Sequence, residues 1–99
     1  MKTIQEWQKD IADAAKKKFP NNNWDQLRHV QSIEEQLADV KASLQVEQGV
    51  LKSDDHAHQD PDHRIAALIA DILILAEMRG SDVEVELEKV LEWFKTPIK

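Results

Sequence analysis

Between Ile65 and Ala76, within RIAALIADILILAEMRG (64–80), every residue is apolar except Asp71. No other feature restricts the fold as much. A helix that is apolar around its whole circumference has to be surrounded rather than laid on a surface. The run is also too short to cross a bilayer, which takes about 20 apolar residues. Asp71 adds a second demand, because a carboxylate sunk in hydrocarbon costs roughly 2–7 kcal/mol or more unless something pairs with it. Its neighbours three and four residues away, Ala67, Leu68, Ile74 and Leu75, are all uncharged. The partner must therefore come from another helix or another chain.

Two glycines and three prolines punctuate the rest of the chain, and the segments between them carry helical periodicity. Thr3 with Glu6 makes a capping box that opens a first helix, followed by Ile4, Trp7, Ile11, Ala14 and Ala15 at helical spacing. Pro20 and the asparagines of FPNNN (19–23) end it. Asn23, with Gln26 three residues on, is positioned to cap a second helix. Leu27, Val30, Ile33, Leu37, Val40 and Leu44 form one stripe along it to about Gln48, and Gly49 provides a left-handed stop. After a polar connection, Asp60 and Pro61 read as the cap and first residue of the third helix, which runs to about Arg79 and ends at Gly80. Ser81 with Glu84 is a further capping box. It opens a fourth helix bearing Val83, Leu87, Val90, Leu91 and Phe94, which stops before Pro97. No strand pattern competes. The expectation is a single all-α domain over 1–99, a four-helix bundle.

Ninety-nine residues with 41% hydrophobic content can bury only about two-thirds of the unfolded chain's surface. Two ways of covering the third helix follow: helices 1, 2 and 4 enclose it in a monomer, or a subunit interface completes the cover and the protein is a homo-oligomer. Nineteen acids against thirteen bases give a net charge of −6, which argues against non-specific nucleic-acid or anionic-membrane binding. There is no cysteine, hence no disulfide frame or thiol chemistry. The N-terminal MKTIQEWQKD lacks a signal-peptide apolar region, so a cytoplasmic location is expected.

Helix 2 offers the nearest company for Asp71. At about 100° per residue, Glu34 falls roughly 70° from the centre of the apolar stripe, Glu35 points nearly away from it, and Asp39 lies on the outer side. If helices 2 and 3 pack, Glu34 and Asp71 can converge and bind a cation or share a proton. Alternatively Lys41 or Arg64 neutralises Asp71 across the bundle in a structural salt bridge.

The segments SIEEQLADV and IAALIADILILAEMRGSDVEVELEKVL resemble the all-α nucleoside-triphosphate pyrophosphohydrolases of the MazG-like superfamily, over roughly Trp24 to Phe94. That family binds Mg²⁺ through Glu-Glu-x-x-Glu on one helix and Glu-x-x-Asp on the next, and cleaves NTPs or dNTPs to the monophosphate and pyrophosphate. Glu34 and Glu35 match the first two positions of the first motif, with Ala38 in the third. Asp71 matches the end of the second, with Leu68 at its start. The Lys and Asn that many members carry on the last helix have no counterpart in EKVLEWFK (88–95). The resemblance implies Glu34, Glu35 and Asp71 as Mg²⁺ ligands, Glu35 doubling as the residue that orients or deprotonates the attacking water, and a nucleoside triphosphate as substrate. The rival reading is a non-catalytic helical interaction protein that keeps the fold and has lost part of the site.

Three smaller features complete the sequence. DDHAHQDPDH holds His56, His58 and His63 among four aspartates, enough ligand types for Zn²⁺ or Ni²⁺ but at a spacing that equally suits a solvated loop. Trp7, Trp24 and Trp93 can stack on a nucleobase or serve as packing. Lys16, Lys17 and Lys18 complement the dipole at the end of helix 1 or meet phosphate.

Overall fold

The computed structural model describes residues 1–49 and 60–98, and four helices are its only regular elements among them: α1 (Ile4–Lys18), α2 (Gln26–Glu47), α3 (Pro61–Met78) and α4 (Val83–Lys95). Local chemistry accounts for their ends. The Thr3 hydroxyl accepts from the Glu6 amide at 3.1 Å while the Glu6 carboxylate accepts from the Thr3 amide at 3.3 Å, so both halves of the expected capping box are made. Asp60 caps α3 ahead of Pro61. Gly49 and Gly80 stand at φ 77° and 68°, a conformation in which a Cβ would be strained.

Two caps fall elsewhere than expected. Asp25, not Asn23, caps α2, accepting from the Arg28 amide at 2.8 Å, while Asn22 accepts from the Trp24 amide at 2.9 Å in the preceding turn. Asp82, not Ser81, caps α4 through the Val85 amide at 3.2 Å. Starting α4 one residue later frees Glu84, and its carboxylate accepts from the Ile4 amide of α1 at 3.1 Å. One orphan donor at the start of α1 is thereby met by a side chain eighty positions away.

α3 packs against both α2 and α1, and α4 against α1. The interior they make is small and unusually polar. Ala12, Val40, Leu73 and Ala76 are the buried apolar residues among those described, joined by Gln8, His29 and Ser43. Gln8 is fully buried and acts as a clamp. Its Nε2 donates to Glu77 Oε1 at 2.9 Å and to the Ser81 carbonyl at 2.8 Å, tying α1 to the end of α3 and the turn beyond.

The face that α2 turns inward is not its apolar stripe. His29, Ser32, Gln36, Val40 and Ser43 look toward the interior or the cavity described below, whereas Leu27, Leu37 and Leu44 are exposed. On a helical wheel the inward face is rotated by roughly 80° from the centre of the stripe. α3 likewise leaves Ile65, Ile69 and Ile72 exposed, and α4 has no buried residue at all. No helix is long and apolar enough to cross a membrane among the described residues.

Candidate functional site

Asp71 sits in the middle of α3, where the helix meets α2, with 16% of its side-chain surface exposed. The partners it finds there differ from those read in the sequence. Ser32 Oγ donates to Asp71 Oδ2 at 3.1 Å, and His29 Nε2 lies 3.5 Å from Asp71 Oδ1. Neither Lys41 nor Arg64 neutralises it: Arg64 pairs instead with Asp39 at 3.3 Å, and Lys41 is exposed. Asp71 is thus sheltered by a hydroxyl and an imidazole, and among the described residues no arginine or lysine pairs with it.

His29 is 6% exposed, and its Nε2 also lies 3.0 Å from the Asp71 carbonyl oxygen. A carbonyl oxygen can only accept, so Nε2 carries the proton and donates. In the neutral ring Nδ1 then holds the lone pair, with no hydrogen-bond partner of its own among the described residues. The spacing of three between His29 and Ser32 puts both side chains on one face of α2, opposite one residue of α3.

These groups form one wall of a cavity of about 540 Å³ between α1, α2 and α3, a volume within the range of small-molecule sites. Gln36 and Glu77 also line it, with Lys16 of α1 and Trp24 from the connection before α2. Gln36 Oε1 is buried without a hydrogen-bond partner among the described residues. One Glu77 carboxylate oxygen is taken by Gln8. Trp24 carries the Arg28 guanidinium 4.2 Å from its ring centroid and has the His29 ring at 5.9 Å. The lining therefore offers two carboxylates, an amide acceptor, one lysine and an aromatic face.

The three carboxylates expected to hold Mg²⁺ are not gathered. Glu34 and Glu35 are exposed and do not line the cavity. Among the described residues no group of three or more His, Asp or Glu side chains is placed to hold a metal ion. The cause is the rotation of α2: with His29, Ser32 and Gln36 inward, Glu34 lies roughly 150° from the inward direction and Glu35 roughly 100°. Mg²⁺ favours near-octahedral oxygen ligation; of the three expected ligands, Asp71 lines the cavity.

His56 and His58 lie outside the described residues, and His63 is exposed in the first turn of α3. Of the tryptophans, Trp24 lines the cavity, while Trp7 and Trp93 are 48% and 70% exposed, so neither is core packing within this chain. Lys16, Lys17 and Lys18 occupy the last turn of α1 as expected. Sequence reasoning missed Gln8, His29, Ser32, Gln36 and Glu77. The available signal was the polar row His29, Ser32, Gln36, Ser43 at spacings of three, four and seven, the hydrogen-bonding side that a buried aspartate requires. Comparison of the chain with protein-family models, curated proteins and solved structures gives no match.

Proposed function

We propose that this chain handles nucleotides in the cavity beside Asp71, hydrolysing an NTP or dNTP to the monophosphate and pyrophosphate, as its resemblance to the MazG-like pyrophosphohydrolases implies. The observation that carries the reading is the state of Asp71. It is a sheltered carboxylate lining a cavity of ligand size, and among the described residues its partners are Ser32 and His29 rather than a lysine or arginine. A carboxylate that accepts from a hydroxyl and faces an imidazole keeps acceptor capacity for a ligand or a water.

The remaining lining suits parts of such a ligand. Lys16 supplies a cation for phosphate, Trp24 an aromatic face for a base, and the unmet Gln36 oxygen an acceptor for a sugar hydroxyl or exocyclic amine. Asp71 can accept a hydrogen bond from the attacking water, with His29 Nε2 and Ser32 Oγ fixing its orientation. Asp71 and Glu77 are the carboxylates of this lining among the described residues. Glu35, expected as the catalytic group, lies outside the cavity lining.

The second reading, a non-catalytic helical interaction protein, is favoured by the separation of Glu34 and Glu35 from Asp71. One assay separates the two. The purified chain is incubated with a panel of NTPs and dNTPs, with and without added Mg²⁺, and monophosphate and pyrophosphate are quantified. Nucleotide handling predicts release of pyrophosphate rather than orthophosphate, slowed by roughly 10²–10³-fold in Asp71→Asn. Absence of turnover on every nucleotide, together with no nucleotide binding by calorimetry, decides for the interaction protein.

A further inference from the structure

We infer that the sheltered part of the cavity beside Asp71 binds a small organic cation, an amidinium or protonated amine on a compact apolar body, with Asp71 as its counter-charge. The inference goes beyond nucleotide hydrolysis and does not rest on it, since its test reads binding alone.

The groups sheltered there are acceptors. Asp71, with 16% of its side chain exposed, receives the Ser32 hydroxyl on one oxygen, and a carboxylate offers about four lone-pair sites. His29 is 6% exposed and gives its Nε2 proton to the Asp71 carbonyl, so Nδ1 keeps a lone pair with no partner among the described residues. Gln36 Oε1 is buried in the same condition. Glu77 gives one oxygen to Gln8 and has the other to spare among the described residues. A ligand that meets this wall has to bring N–H or O–H donors.

Charge narrows the donor. Among the described residues Asp71 and Glu77 are the carboxylates of the lining and Lys16 is its lysine, exposed on the α1 side. A phosphate therefore finds its cation at Lys16 and is repelled at Asp71, whereas a positive group is drawn to Asp71. A water donates too, but it leaves the sheltered charge without a counter-charge. The rest of the wall says what the cation is carried on. Ala12, Ala15 and Ile74 are apolar, and Phe19 and Trp24 add aromatic surface. At about 540 Å³ the space is far larger than a bare ion fills and suits a hydrocarbon body. An amidinium adds a further match, because its two parallel N–H bonds fit the edge of a carboxylate.

Benzamidine and benzamide form a matched pair, nearly the same in shape and different in charge. Calorimetry at neutral pH should show benzamidine binding one-to-one and roughly 10-fold or more tighter than benzamide. Asp71→Asn should bring the two to within about twofold, because the counter-charge is gone. In the NMR spectrum of the parent chain, the Trp24 indole N–H signal, assigned through Trp24→Phe, should shift with benzamidine. The signals of Trp7 and Trp93, which do not line this cavity, should stay in place. That readout needs no change at Asp71, so it decides even where asparagine is not tolerated. Equal binding of the pair, a preference for benzamidine that survives in Asp71→Asn, or shifts at Trp7 or Trp93 in place of Trp24 overturns the inference. Absence of binding at millimolar benzamidine overturns it as well.

Discussion

The two sides of α3 face opposite problems. On one, Asp71 is enclosed by Ser32 and His29, and the Gln8 clamp a turn and a half further on is sealed completely. On the other, Ile65, Ile69 and Ile72 are about half exposed. Polar side chains such as Gln8 and His29 are buried while many of the larger aliphatic ones stand outside, the reverse of an ordinary domain. The difference shows which demand dominates locally. An unmet buried carboxylate costs several kcal/mol, more than α2 gains by burying one exposed leucine, roughly 1.5–3 kcal/mol. α2 therefore turns the face that can donate toward Asp71, and Leu27, Leu37 and Leu44 stay exposed.

Breaking the enclosed side should have the largest effect. Gln8→Ala removes two hydrogen bonds made by a fully buried amide, one of them to a carboxylate. It should destabilise by about 2–4 kcal/mol, read from urea unfolding followed by far-ultraviolet circular dichroism at fixed protein concentration. A change below about 0.5 kcal/mol would show that the clamp is not made in solution. The open side comes next, and dilution probes it without any substitution. If folding and dimerisation are linked, each tenfold dilution should lower apparent stability by about 1.4 kcal/mol. An unfolding midpoint indifferent to concentration would show that α1, α2 and α4 suffice to cover the stripe.

Asp71→Asn sharpens the comparison at its centre. Asparagine keeps a carbonyl oxygen to accept from Ser32, and the substitution strands no lysine or arginine, so stability should change by no more than about 1 kcal/mol. A loss of about 3–5 kcal/mol would mean that a cation pairs with Asp71 after all. Smallest of all should be Asp39→Asn. Its bond to Arg64 is 3.3 Å long and the aspartate side chain is 46% exposed, so the pair is worth about 0–1 kcal/mol and should weaken further in salt. Titrating salt against stability in the parent and in Asp39→Asn checks it.

Much of the backbone plan was legible because helix ends obey local chemistry. Thr3 with Glu6, Asp60 before Pro61, and the glycines at 49 and 80 each satisfy a demand of their own few residues. Asn23 and Ser81 were misjudged because another capping aspartate stood close by, and sequence spacing alone does not rank two good caps. The rotation of the helices was the harder matter. Counting apolar positions put Trp7 and Leu37 inward, whereas Gln8 and His29 occupy those places. The same step hid the site. Partners for Asp71 were sought among charged side chains near the apolar stripe, and a serine and a histidine on the adjoining face supply them.

The bond from Glu84 to the Ile4 amide bears on how the chain comes into being. During synthesis the first helix emerges well before the surfaces it rests on, since α1 packs on α3 and α4. α2 and α3 can pair once Met78 has been made, and Gln8 of α1 can then reach Glu77, while its bond to Ser81 and the Ile4 bond to Glu84 wait for the later residues. Bringing Ile4 to Glu84 closes most of the chain into a loop, an entropic cost that grows slowly with length but is met only at the end. α1 thus gains all of its long-range hydrogen bonds only once α4 has begun. A chain truncated before Ser81 should hold α1 less firmly against proteases than one that includes Glu84, because two of its long-range hydrogen bonds are missing.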